Sequence, residues 1–262
     1  MIFRRVKAHI EKENWFAVFI DFIIVVIGVF IGLQVANWND ALGERQRETQ
    51  ILRNIATDLR ADIEDYSKHI DSDVTKIVII NHILDNASVP QGQMLTDKLE
   101  IDGMVFADFF EQYLESGDKG LAQRLEPRRN ELWSVAVLVP NAAPSTTAFD
   151  SLVSSGDLGI LRDEAIVESL QTYRQLMTAI IKAQEVTFRP RRDNAIDIGL
   201  EFGLSPFRAT EESEFLALVS GSPKLAATVQ SQLGWARGHL TMLAGAHNRA
   251  KLALSQIENK LG

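Results

Sequence analysis

Residues 15–38 read WFAVFIDFIIVVIGVFIGLQVANW, and residues 44–86 read ERQRETQILRNIATDLRADIEDYSKHIDSDVTKIVIINHILDN. The first stretch is apolar nearly throughout, with Trp15 and Trp38 at its ends, and about 20 apolar residues match the ~30 Å hydrocarbon core of a bilayer. The second contains neither glycine nor proline, so nothing in it interrupts a helix. Its apolar positions Leu52, Ala56, Leu59, Ile63, Tyr66, Ile70, Val74 and Ile77 recur at three- and four-residue steps, with Leu84 two turns on, the seam of a helix packed on other helices. A helix over 44–86 is about 64 Å long at 1.5 Å per residue. The two stretches together predict an all-α chain: an N-terminal transmembrane helix continuing into a helical bundle of long antiparallel helices.

Farther along, residues 87–97 read as a turn or loop around Pro90 and Gly92, and a helical patch with Phe106, Phe109, Phe110, Tyr113 and Leu114 follows as an expected piece of core. Trp133–Val139 fits either a short strand or a buried helical turn, because periodicity does not separate the two at this length. Ser145, Thr146 or Thr147 is available to cap a short helix carrying Phe149 and Leu152, which Gly156 closes. Asp163 is placed to cap the next helix, with Ile166, Leu170, Tyr173, Met177 and Ile180 on its buried face, until Pro190 bends or ends it. Ser222 before Pro223 starts a last helix whose seam of Leu225, Val229, Leu233, Ala236, Leu240, Leu243, His247, Ala250, Leu254, Ile257 and Leu261 runs to the end. The expected division is a basic cytoplasmic leader over 1–14, a span over 15–38 and a helical domain over 39–262. Within that domain lie a stalk helix over about 40–86, short elements over 98–156, and helices over about 163–199 and 222–261.

Charge and composition narrow the function. The leader carries Arg4, Arg5, Lys7 and Lys12 against Glu11 and Glu13, while the whole chain has a formal charge of -8. An acidic surface of this kind repels nucleic acid, so no nucleic-acid partner is expected. There is no cysteine, which removes thiolate metal sites and cysteine nucleophiles. The apolar run is longer than the core of a cleaved signal and ends in Gln34, Asn37, Trp38, Asn39 and Asp40 rather than in small residues, the pattern of an uncleaved signal-anchor. Arg45, Arg47 and Arg53 on the far flank reduce the charge asymmetry. The short basic leader still favours a cytoplasmic N-terminus and an exported domain.

Val25–Asp40, VVIGVFIGLQVANWND, resembles the anchor of a family of uncharacterised bacterial single-pass membrane proteins, in which an IG-x-x-IG-LQV-x-NWN-[DE] string closes the span. Ala148–Arg174 is similar to that family's aromatic, L-x-SSG-x-L, I-or-L-x-D and tyrosine pattern. Two departures are Asp21 where the family has a glutamate and Ala36 in place of an asparagine. The resemblance implies a bacterial inner-membrane protein, carries over no catalytic residue, and concentrates attention on the anchor itself.

Within the anchor, Asp21, Gly28, Gly32 and Val35 fall on one stripe at spacings of 7, 4 and 3. An intramembrane carboxylate is costly and G-x-x-x-G lets two helix backbones approach closely, so this stripe is the candidate association face toward a second copy or another membrane protein. Against it stands a carboxylate that merely leans toward the interface. Trp15, Gln34, Asn37, Trp38 and Asn39 are the candidate interface residues, anchoring to lipid headgroups.

No catalytic motif and no cofactor fingerprint is present. Ser116–Lys119 spells S-x-x-K, a four-residue pattern expected by chance. His69, His82, His239 and His247 lack the glutamate at i−3 of a di-iron bundle and any H-E-x-x-H, so no metal is expected, and His247 reads as a hydrogen-bonded seam residue. Arg189, Arg191 and Arg192 around Pro190 read as a salt-paired helix end rather than an anion site. The favoured reading is a non-enzymatic, partner-binding or scaffold subunit at the lipid bilayer. A channel subunit that turns Asp21 and Gln34 to a lumen, or a tethered hydrolase without a recognisable motif, are the alternatives.

Overall fold

No proline occurs before Pro90, and the glycines at 28, 32 and 43 do not interrupt the run, so a single helix, α1, extends from Trp15 to Asn86. The structure, a computed structural model, describes residues 15–92, 94–117, 120–138, 141–145 and 147–262. The leader over 1–14, Lys119, Val139, Pro140 and Thr146 therefore lie outside the described residues. About 84% of the structure is helical and about 2% strand, which makes the fold all-α. It divides into two compact units, Met1–Ile51 and Leu52–Gly262.

In the first unit, the described residues are all helical, and the large apolar side chains from Phe19 to Val35 are exposed. An 18-residue window of this helix reaches a mean hydropathy of 2.5 with none of it buried, long and apolar enough to cross a membrane.

The second unit is built on three long helices: the part of α1 from Leu52 onward, α6 (Glu164–Ala183), and α9 (Pro223–Leu261). Between α1 and α6 come a two-stranded hairpin, β1 (Glu100–Ile101) and β2 (Met104–Val105), and the helices α2 (Phe106–Ser116), α3 (Leu121–Leu125), α4 (Leu132–Val137) and α5 (Thr147–Ser154). One π-helical turn, Gln184–Phe188, joins α6 to α7 (Arg189–Glu201), and α8 (Glu212–Gly221) precedes α9. Side-chain pairs set the directions. Arg60 meets Glu258, Ser67 meets His247 and Asp73 meets His239, so α9 runs antiparallel to α1. Lys260 meets Asp163 and Gln184 meets His239, so it runs antiparallel to α6 as well.

Local chemistry starts and stops these helices where the sequence places the signals. Asp163 Oδ1 accepts the backbone N–H groups of Ala165 and Ile166 at 3.1 and 3.3 Å, and Ser222 Oγ accepts that of Leu225 at 3.2 Å. Gly156, with φ of +77°, ends the α5 region in the left-handed conformation that glycine adopts without strain. Pro190 sits at the start of α7 and does not end the run, which passes from α6 through the π turn into α7 without a break.

Of the two readings open for the stretch after Leu132, the helical one holds: Leu132–Val137 is helix, and Trp133, Ala136 and Val137 are core. Several other expectations need correction. Of the aromatic patch only Phe106 is buried; Phe109, Phe110, Tyr113 and Leu114 are half covered, because α2 is amphipathic and has one side left open. The hairpin at Glu100–Val105, turned by Asp102 and Gly103 at positive φ, was not expected. On α1, Ile63 is only half-buried and Asp62, at 2% exposure, takes the core position. The start of α5 is held from outside the segment: Asp58 accepts the N–H of Ala148 at 2.9 Å, Asp62 that of Ser145 at 2.6 Å and Asp65 that of Ala143 at 3.0 Å. Three aspartates at i, i+4 and i+7 of α1 thus hold the segment 143–148 by its backbone.

Trp133 shows how closely the core is filled. A Cβ at Gly199 on α7 would stand 2.2 Å from the Trp133 ring, a distance real atoms do not reach. At Gly234 on α9 the nearest atom to such a Cβ is Met94 Cε at 3.7 Å, an ordinary contact. Gly199→Ala should therefore lose about 1–3 kcal/mol of stability despite the better helix propensity of alanine. Gly234→Ala should gain roughly 0.5–1 kcal/mol, and denaturant unfolding of the two variants checks both signs.

Candidate functional site

The sequence-predicted residues from Asp21 to Asn39 lie on the helical surface. Seven, four and three residues are close to whole numbers of helical turns, so Asp21, Gly28, Gly32 and Val35 share one face of α1. A Cβ at Gly28 or Gly32 would meet nothing within 4 Å, and Asp21 and Val35 are exposed. Gln34, Asn37, Trp38 and Asn39 are exposed at the end of the apolar run. Trp15 begins the helix.

The second unit holds a buried polar cluster that sequence reasoning missed. From Asp73 to Ile80 every residue of α1 is buried, so side chains on all faces of the helix are enclosed, including Asp73 at 2% and Lys76 at 3% exposure. Asp73 Oδ2 lies 2.6 Å from His239 Nδ1 on α9. Gln184, in the π turn, lies 3.0 Å from His239 Nε2. The peptide of Ala142 orients that amide: its N–H faces the Gln184 oxygen and its carbonyl the Gln184 nitrogen, each at 3.1 Å. The Gln184 oxygen then also faces Nε2, which must carry a proton. Both ring nitrogens of His239 thus face an acceptor, the Asp73 carboxylate on one side and the Gln184 oxygen on the other.

Lys76, one turn on from Asp73, is enclosed with them. Its ammonium has no hydrogen-bond or ion-pair partner among the described residues, in contrast to the equally buried Arg124 on α3. Arg124 donates to Thr75 Oγ1 at 2.7 Å and to the Asp71 carboxylate at 2.8 Å. Burial pushes the Lys76 amine down from its ordinary 10.5 to about 8; Asp73 opposes the shift and Arg192 on α7 adds to it.

A second buried polar group centres on Asp62, which also accepts from Tyr173 Oη at 2.6 Å, with Tyr66 Oη 3.4 Å beyond. Burial raises the Asp62 carboxyl above the ordinary range. Hydrogen bonds from Tyr173 and Ser145 work against the rise, and the nearby Asp58 and Asp65 carboxylates add to it. The phenols of Tyr66 and Tyr173 are both pushed up by burial.

Among the described residues, two of the surface depressions are roomy enough for a ligand. One of about 440 Å³ lies between α5 and α6, beside the Asp150–Arg174 ion pair at 2.6 Å. The larger, about 550 Å³, lies where the end of α1 meets α2 and α3, with apolar sides from Val78, Phe110, Leu114 and Leu125. His82, Asp85 and Glu126 complete it. His82 Nε2 is 2.6 Å from Glu212 Oε1, and Arg129 reaches both Glu212 and Glu126 at 2.7 Å. Burial alone would raise the Glu212 carboxyl, but the bonds from His82 and Arg129 outweigh it and hold the group below the ordinary range.

Among the described residues no three His, Cys, Asp or Glu side chains converge to hold a metal ion. The histidines are engaged singly: His69 with the Asp65 carbonyl, His82 with Glu212, His239 with Asp73, and the half-buried His247 with Ser67 at 3.3 Å. The S-x-x-K string ends at Lys119, outside the described residues. The arginines around Pro190 are separately occupied, Arg189 by Glu185, Arg192 by Asp193, and Arg191 over the Trp235 ring. Comparison with protein-family models, curated proteins and solved structures returned no significant match.

The Lys76 environment makes a signed prediction. Between pH 8 and 10.5 the unfolded chain holds a proton that the folded chain has released, so this group makes stability rise with pH across that window. Below pH 8 the penalty is complete, about 3 kcal/mol for a shift of this size. Lys76→Met should stabilise the protein by roughly 1–3 kcal/mol at pH 7, and the gain should shrink as pH rises through the window. Parallel unfolding curves of the two proteins measure it, and a gain that does not change with pH would contradict the assignment.

Proposed function

We propose that this chain is a single-pass, membrane-anchored protein of a bacterial inner membrane whose helical domain binds a protein partner or supports an assembly, without catalysing a reaction. The observation that carries the reading is the surface of α1 from Phe19 to Val35, where Phe22, Ile24, Val25, Val29, Phe30 and Leu33 are each between 58 and 65% exposed. In water an apolar patch of this extent is unfavourable; in a bilayer it is matched, and a helix is a form in which every backbone polar group is satisfied there. Trp38 and the amides of Gln34, Asn37 and Asn39 suit the headgroup layer at the end of the run.

The basic leader supports a cytoplasmic N-terminus with the domain outside. Association within the membrane falls to the face that carries Asp21, Gly28, Gly32 and Val35, since the absence of side chains at two of these positions permits close backbone approach and a neighbouring helix relieves the isolated carboxylate. The neighbour is a second copy or another membrane protein, and the domain's partner-binding role is argued from its acidic surface and open grooves.

Because the chain has no cysteine, Ser255→Cys on the exposed side of α9 gives a single label site. A membrane-impermeant maleimide should label it in cells whose outer barrier, but not inner membrane, has been opened; labelling only after lysis would overturn the orientation. Native mass in mild detergent, with identification of every chain, tests association. The account expects a defined complex that Gly28→Leu with Gly32→Leu disperses, and an unchanged complex would remove the glycine face from the account.

A further inference from the structure

We propose that the groove at the end of α1, between α2 and α3, binds a basic amphipathic helix of a partner protein. The inference rests on the partner-binding reading above and gives that partner its chemistry.

Three helices each bring apolar side chains to the groove: Val78 from α1, Phe110 and Leu114 from successive turns of α2, and Leu121 and Leu125 from successive turns of α3. Leu121 is 59% exposed, so the apolar surface is left uncovered at this edge. Along α1 the lining runs from Val78 to Asp85, about 10 Å or two helical turns, the length over which a docked helix inserts residues at i, i+4 and i+7.

The surrounding charge selects among occupants. Helix α2 has Asp108, Glu111 and Glu115, all exposed, and no lysine or arginine. Glu111 follows directly on Phe110 and Glu115 on Leu114, so both carboxylates stand beside the apolar wall. Asp85 and Glu126 line the groove itself. Among the described residues, Arg129 is shared by Glu126 and Glu212, Arg124 is buried on Asp71, and Arg128 donates to the Arg124 carbonyl. The groove is thus apolar within and negative around. A fatty acid or an anionic lipid headgroup would meet carboxylates, and a second copy of this acidic domain would meet like charge. A helix with leucines on one face and lysines or arginines flanking them satisfies both features.

The test uses the full chain in zwitterionic nanodiscs with a benzophenone amino acid in place of Leu121, and in a control in place of the exposed Leu200 on α7. The probes are a synthetic Leu/Lys amphipathic helix of about 18 residues and a Leu/Glu helix with the same leucine spacing. The Leu/Lys helix should cross-link at Leu121 in the micromolar range, and roughly tenfold less well at Leu200 or when replaced by the Leu/Glu helix. Glu111→Lys with Glu115→Lys should weaken the Leu/Lys cross-link about tenfold and favour the Leu/Glu helix. Equal cross-linking at the two positions, equal response to the two peptides, or none at all would overturn the proposal. A partner that co-purifies while the groove takes no basic helix would leave the partner-binding reading standing and remove the groove from it. A groove that takes the peptide while no partner co-purifies would do the reverse.

Discussion

In the second unit, the enclosure of Asp73–Ile80 is the constraint around which the other elements are arranged. A helix apolar on all sides, as Ile77-Val78-Ile79-Ile80 makes this one, is stable only when every face is covered. Helices α6 and α9 cannot surround it alone. The short elements between α1 and α6 complete the cover, and they are tied to α1 by polar contacts rather than by apolar packing only. Arg124 brings α3 onto Asp71 and Thr75, and the aspartates at 58, 62 and 65 hold the backbone before and within α5.

The same enclosure gives the domain its least comfortable groups. Asp73 and His239 satisfy one another and Gln184 bonds the far side of the imidazole, yet Lys76 is carried into the interior one turn later with no side chain bonded to its ammonium among the described residues. A buried charge that is neither paired nor hydrogen-bonded is retained against stability, since an apolar side chain of similar length would fit the same place at lower free energy. The π turn that delivers Gln184 is a further departure from regular helix at the same spot.

Much of the architecture was legible because it depends on local signals of high contrast. The continuity of α1 follows from missing proline and, over 44–86, missing glycine, and the starts of α6 and α9 from Asp163 and Ser222-Pro223. What escaped depends on contacts between distant segments. A periodicity argument ranks apolar residues, so it chose Ile63 over Asp62, whose place in the core is secured by Tyr173, more than a hundred residues away. It also took the α2 aromatics as core, although only Phe106 finds cover. Asp102-Gly103 is a sound hairpin signal, but strands of two residues are too short to alternate visibly. Lys76 was readable in principle: the four apolar residues after it announce burial all round, and a lysine at their edge is carried in with them.

The central claim is that α1 exchanges a lipid surrounding for a protein interior along its length. Single cysteines placed in turn from Phe19 to Leu84, spin-labelled in the liposome-reconstituted full chain, report at each site the access of apolar oxygen and of a water-soluble relaxant. The account predicts high oxygen access on every face over 19–35, a helical period over 52–72, and exclusion of both reagents on every face over 73–80. Access of the water-soluble relaxant throughout 19–35, or a helical period of exposure across 73–80, would contradict it.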